Sequence, residues 1–129
     1  MKWLIAGFGL LLSATQVDAH ELTPTYPRLL PSIVDGLMSS KLSMFNARRD
    51  VDYYEIGVFT EHMVPVPFAT TNHIIKVPTG TSYQFEVFIR NRDVPTVVYV
   101  CTTSKLRSDK SQNAIISSKV CSKFDRELK

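Results

Sequence analysis

The sequence has no segment of useful length with helical periodicity, and it has little cysteine and little charge of one sign. Its 129 residues include two cysteines and carry a formal net charge of only +3. The densest basic groups, residues 48–49 and 90–92, are each followed directly by an aspartate. This pattern is typical of solvated loops rather than of a phosphate-binding surface, so we expect no nucleic-acid partner.

No apolar run is long enough to cross a bilayer, which takes about 20 apolar residues. The longest, at residues 3–12, follows Lys2 and is followed by the small-residue sequence Val17-Asp18-Ala19. This order is typical of a cleavable signal peptide. We therefore predict a signal peptide at residues 1–19 and a protein exported to the periplasm or to an extracellular or virion location. After cleavage we expect no membrane contact, and one domain of ordinary size remains.

The two cysteines, Cys101 and Cys121, both follow the predicted signal peptide. No further cysteines stand at the spacing of a structural zinc site. In an oxidising compartment this pair favours one intramolecular disulfide, with two free buried thiols as the alternative.

Apolar residues recur at spacing two through most of the remaining chain, and turn residues interrupt them about every ten positions. The clearest strand is the one at 83–90, and others are expected at 38–45, 54–59, 73–77, 96–103 and 114–121. Prolines make residues 21–30 an edge strand or an extended arm, and 61–68 a short edge strand or a connection.

These strands predict an all-β fold, an immunoglobulin-like β-sandwich of about seven antiparallel strands at residues 20–123, with a charged tail at 124–129. A hairpin centred near Ser111 would bring Cys101 and Cys121 opposite each other on the last two strands.

Several short stretches occur in an order that resembles the N-terminal domain of periplasmic pilus-assembly chaperones. They are Leu22-Thr23-Pro24-Thr25 with Arg28, Val34-Asp35-Gly36, Leu42-Ser43-Met44-Phe45-Asn46, Tyr53-Tyr54-Glu55-Ile56, and Val77-Pro78 with Tyr83, Phe85 and Val87. The resemblance implies edge-strand pairing with a client protein, with Arg28 and Lys119 holding the client's terminal carboxylate. The resemblance covers about residues 22–103 and only the first domain of such chaperones. The predicted last strand has Ala114, Ile116, Ser118 and Val120 on one face, which is a poor row of side chains for insertion into a client.

The last quarter of the chain, at 101–106 and 117–123, is also similar to small exported proteins of marine phages. We therefore expect a module that binds another protein, as in the assembly of a surface or virion structure. Phe59 and Phe88 lie opposite the main apolar rows of their strands. They are either packed against a sheet edge or exposed as a partner-binding patch.

No pattern for catalysis or for a cofactor stands out. No serine has the glycines of a nucleophile elbow, and no pair of acidic residues shares a strand face, so we expect no enzyme and no cofactor. One metal hypothesis remains as the alternative function. Cleavage after Ala19 would make His20 the N-terminal residue, which with His62 could bind copper, and His73 or Met63 could add a further ligand.

Overall fold

A computed structural model describes residues 20–105 and 117–126. Within these ranges there is no α-helix, and no helix is long and apolar enough to cross a membrane. The strands are β1 (Glu21–Thr23), β2 (Leu30–Pro31), β3 (Leu37–Phe45), β4 (Tyr53–Phe59), β5 (Ile74–Lys76), β6 (Ser82–Arg90), β7 (Tyr99–Ser104) and β8 (Lys119–Lys123).

The strands form two antiparallel sheets that face each other as a sandwich, which confirms the predicted fold class. Sheet A consists of β1 and β2, which both pair with one edge of β3, and of β6 on the other edge of β3. Sheet B has the order β5-β4-β7-β8. Because β1 and β2 are two pieces of one interrupted strand, the count agrees with the seven strands predicted.

The core lies between the sheets, and the alternating pattern explains which side chains enter it. On β6 the buried residues are Phe85, Val87 and Ile89, while Gln84, Glu86 and Phe88 face outward. The same alternation holds on β4, where Tyr54, Ile56 and Val58 are buried. Phe124, the first residue of the predicted tail, is also part of this core.

Two strands begin later than the sequence predicts. A 3₁₀ turn occupies Val94–Thr96, so β7 starts at Tyr99 instead of Thr96. This turn places Pro95, which has no N–H to donate to a strand ladder, outside the sheet. The last strand runs over Lys119–Lys123 rather than 114–121, and residues 106–116 lie outside the described residues. The stretch 61–68 is a connection with one isolated bridge, between Phe59 and Pro65.

The disulfide between Cys101 and Cys121 joins β7 to β8, as predicted. The two Cα atoms are 4.1 Å apart. In this ladder the backbone N–H of Ser104 donates to the Ser118 carbonyl, and that of Phe124 donates to the Val98 carbonyl. Hydrogen-bonded pairs alternate with non-hydrogen-bonded ones, and Cys101 is three positions from both Val98 and Ser104. The cysteines therefore occupy a non-hydrogen-bonded pair, where facing residues approach most closely.

Asn46, which follows β3, ties the two sheets together at one end of the sandwich. Its side-chain amide donates to the carbonyls of Val51 and Val77, each at 2.8 Å. Its side-chain oxygen accepts from the Tyr54 hydroxyl at 2.6 Å and from the Arg48 backbone N–H at 2.9 Å. Asn46 is fully buried, and every donor and acceptor of its amide has a partner.

We predict that Asn46→Asp lowers the free energy of unfolding by about 3 kcal/mol or more, because a buried carboxylate would face two carbonyls in place of two donated hydrogen bonds. Urea unfolding measures this loss. Asn72→Asp, at an exposed position, is the matched control and should change stability little. Equal stability of the two variants would contradict the role of Asn46.

Candidate functional site

The four residues predicted to bind a partner lie in two pairs on opposite outer faces of the sandwich. Phe59 and Lys119 meet on the outer face of sheet B. Arg28 and Phe88 line one groove on the outer face of sheet A. The two phenylalanines therefore do not share a patch, although both lie outward as their strand positions predict.

Phe59 is covered on its own sheet. Its ring lies over Gly57, where an added Cβ would come within 2.7 Å of the ring carbons. The Lys119 ammonium nitrogen lies 3.9 Å from the ring centroid, within the range of a cation–π contact. Gly57 also stands opposite Cys101, so the ring packs beside the disulfide row. These contacts assign Phe59 a packing role on this face.

Arg28 and Lys119 do not form a joint site. The Arg28 guanidinium contacts Asp125 at 3.7 Å, beyond the end of β8, whereas Lys119 begins β8. Six residues of extended chain separate these two ends, which is about 20 Å. The Lys119 ammonium contacts the Phe59 ring and the Arg28 guanidinium contacts Asp125, so the structure does not bring these two cations into contact.

The groove beside Arg28 and Phe88 is bordered by exposed apolar residues. Ile33 is fully exposed, at 102%, and Leu30 is 58% exposed. Tyr26 and Val34 in the same segment are also more than half exposed. Four large apolar side chains within nine residues of chain therefore face solvent, and two of them, Leu30 and Ile33, line the groove. Isolated exposed apolar residues are ordinary, but such a group indicates an interaction surface.

This segment was not identified as a candidate site from the sequence, because strands and their faces were located by apolar residues at spacing two. Pro24, Pro27 and Pro31 interrupt any period-two pattern between residues 24 and 31. The available signal was a run of large apolar residues among prolines, which cannot form a regular buried strand face.

His20 is buried between the sheets, with 2% of its surface exposed. Its Nε2 lies 2.9 Å from the Thr102 carbonyl and 2.8 Å from the Thr102 hydroxyl, and its Nδ1 lies 3.2 Å from the Ser118 hydroxyl. The ring centroid is 4.6 Å from that of Tyr54. A neutral ring that donates from Nε2 to the Thr102 carbonyl and accepts at Nδ1 satisfies all of these contacts.

Burial lowers the pKa of His20 below its ordinary value, and the positive charge of Arg48 lowers it further, against the opposing effect of the Thr102 carbonyl. Arg48 also donates to the Ser118 hydroxyl at 3.2 Å and pairs with Asp50 at 2.6 Å. A protonated His20 would have to donate to a hydroxyl that already accepts from Arg48. The site therefore favours neutral His20.

His20 and His62 are not brought together. The His20 ring contacts that of Tyr54 at the beginning of β4, whereas His62 is exposed in the turn after Phe59, about 16 Å further along that strand. His73 contacts Phe68, with ring centroids 4.8 Å apart. Among the described residues, no group of three His, Cys, Asp or Glu side chains could hold a metal ion.

The chain matches no known protein-family model, and no curated protein is significantly similar to it. The features that bear on function are therefore those of its own fold: the groove on sheet A and the exposed segment beside it.

We predict that His20 makes the protein less stable in acid. Because its folded-state pKa lies below the unfolded value of 6.5, the unfolded chain binds the proton more readily. Its stabilising contribution is complete above about pH 6.5 and is lost as the pH falls towards the lower, folded-state pKa.

Urea unfolding between pH 7.5 and pH 5 should show a smaller loss of stability for His20→Asn than for the wild type. The other two histidines are common to both proteins and cancel in the comparison. The same pH dependence in both would contradict the assignment.

Proposed function

We propose that the chain is an exported, immunoglobulin-like module that binds another protein, and that the groove face of sheet A is its binding surface. The observation that carries this proposal is the pair of exposed aliphatic side chains, Leu30 and Ile33, in the groove of Arg28 and Phe88. Aliphatic side chains that the described part of the chain leaves exposed to solvent gain stability when a partner covers them.

The surrounding charges favour a protein partner. Arg28 and Lys41 line the groove together with Glu86, so both signs of charge surround the apolar residues. Mixed polar groups around an apolar centre are typical of protein–protein interfaces. The fully exposed Ile33 is the natural centre of such a contact, and Leu30 lies on the same side of the groove.

Two further features support work outside the cytoplasm. The disulfide between Cys101 and Cys121 is consistent with an oxidising compartment, and the apolar segment at residues 3–12 precedes a small-residue cleavage sequence. The ordered resemblance to pilus-assembly chaperones makes a role in assembling a surface or virion structure the favoured setting.

We predict that a photoreactive amino acid in place of Ile33 crosslinks one defined partner protein when the full chain is produced in the organism that carries the gene. The same amino acid in place of Ile74 is the matched control. Ile74 is 55% exposed on the outer face of sheet B, away from the groove. Mass spectrometry of the crosslinked product identifies the partner.

The proposal expects a product at position 33 that is absent at position 74. A monomer without crosslinks at both positions would contradict it. Equal crosslinking at both positions would show that the contact is unspecific.

A further inference from the structure

The edge of β3 beside the groove has a gap in its strand pairing. β1 pairs with residues Ser43 to Phe45 of β3, and β2 pairs with Met38 and Ser39. Between them, residues 40–42 have partners on β6, but no other described residue pairs with them on the opposite side of β3. The paired positions that flank the gap, 39 and 43, are about 13 Å apart along the strand.

The gap exists because residues 24–29 leave sheet A and run beside the end of β8. The carbonyl of Thr25 accepts from the Lys123 N–H at 3.1 Å, and that of Pro27 accepts from the Asp125 N–H at 2.9 Å. Pro24 and Pro27 have no N–H to return to β3. The first strand is therefore held by the other sheet just where it would have covered the gap.

The backbone of Lys41 points into this gap. Phe88 exchanges two hydrogen bonds with Ala69, at 2.8 and 2.9 Å, so its N–H and C=O point away from β3. The backbone N–H and C=O of its partner Ser39 then point away from β6. Because these directions alternate along a strand, the N–H and C=O of Lys41 also point away from β6. Among the described residues outside the strands, none bonds to the Lys41 backbone.

The opposite edge of the same sheet shows how such a position is filled. There, Ala69 belongs to an irregular segment rich in proline and satisfies both backbone groups of Phe88 through a single-residue bridge. One residue of a passing segment is enough, and no regular strand is needed. In residues 20–105 and 117–126, Lys41 has no equivalent partner on its own edge.

The gap coincides with the groove. Lys41 lines the groove of about 570 Å³ together with Leu30, Ile33 and Phe88. In an antiparallel pair, facing residues place their side chains on the same face of the sheet. A residue that bonded to Lys41 would therefore place its side chain on the outer face, next to these apolar residues.

We infer that the partner inserts one residue of an extended segment opposite Lys41, where it exchanges two backbone hydrogen bonds with Lys41 and places an apolar side chain in the groove. β1 and β2 close the edge on both sides, so the segment enters as a bend or loop apex rather than as a long strand. The inference rests on the proposed function and specifies what the groove recognises.

The first test needs no partner. Hydrogen exchange of the full chain, exported and purified, should show a Lys41 amide that exchanges at least 10-fold faster than the amides of Ser40 and Leu42, which bond to β6. The Phe88 amide, held by Ala69, is the internal control and should be protected. A Lys41 amide protected as strongly as that of Phe88 would overturn the inference.

The second test uses heptapeptides selected for binding to the wild-type protein from a random library displayed on phage. A selected peptide, added at saturation, should slow exchange of the Lys41 amide at least 10-fold and leave Phe88 unchanged. Ile33→Ser should weaken its binding at least 10-fold, whereas Ile74→Ser should not change it. Ile33 is fully exposed, so its substitution leaves folding intact.

A peptide that binds but leaves Lys41 exchange unchanged would overturn the inference. If position 33 still crosslinks a partner in that case, the proposed function stands without it. If protection of the Lys41 amide rose with protein concentration in the absence of peptide, the segment that binds there would belong to a second copy of this chain, and the inference of a foreign partner would be overturned.

Discussion

The sandwich depends on the buried amide of Asn46, which joins the end of β3 in sheet A to the beginning of β4 in sheet B. It links the Tyr54 hydroxyl and the Val51 and Val77 carbonyls at one corner. The polar cluster continues through Arg48 and Ser118 to His20, so the start of the described chain is fixed to the same corner. The side chains of Asn46, Arg48, Ser118 and His20 are therefore engaged with one another or with neighbouring groups of the chain.

The edge of sheet A formed by β1 and β2 differs from this corner because part of its backbone and several of its apolar side chains have no partner in the described part of the chain. Its first strand is divided, its prolines remove backbone donors, and Tyr26, Leu30, Ile33 and Val34 remain exposed. Natural sheets usually cover or interrupt their edges, and proline and lysine at an edge discourage unspecific pairing. Here, among the described residues, the interruption leaves only the backbone of Lys41 open to pairing between β1 and β2. Such a gap accepts a shorter segment than a fully open strand edge would.

The sequence predicted the parts of the fold that follow from local alternation. The row Phe85, Val87 and Ile89 is buried as expected, and the pairing of Cys101 with Cys121 follows from the hairpin register. The burial of His20 was not predictable, because its partners Thr102 and Ser118 are 82 and 98 residues away in the chain. The division of the first strand was also not predictable. Prolines indicate an edge strand, but they do not show which sheet donates hydrogen bonds to the carbonyls of residues 25 and 27.

The account's central claim, that Lys41 is the backbone position a partner completes, is tested most directly by scalar coupling across a hydrogen bond. With ¹⁵N-labelled protein and a ¹³C-labelled bound peptide, we predict a measurable coupling between the Lys41 amide nitrogen and a peptide carbonyl carbon. No coupling to a tightly bound peptide, or a coupling from Lys41 to a carbonyl of its own chain in a second sample of ¹⁵N,¹³C-labelled protein, would contradict the account.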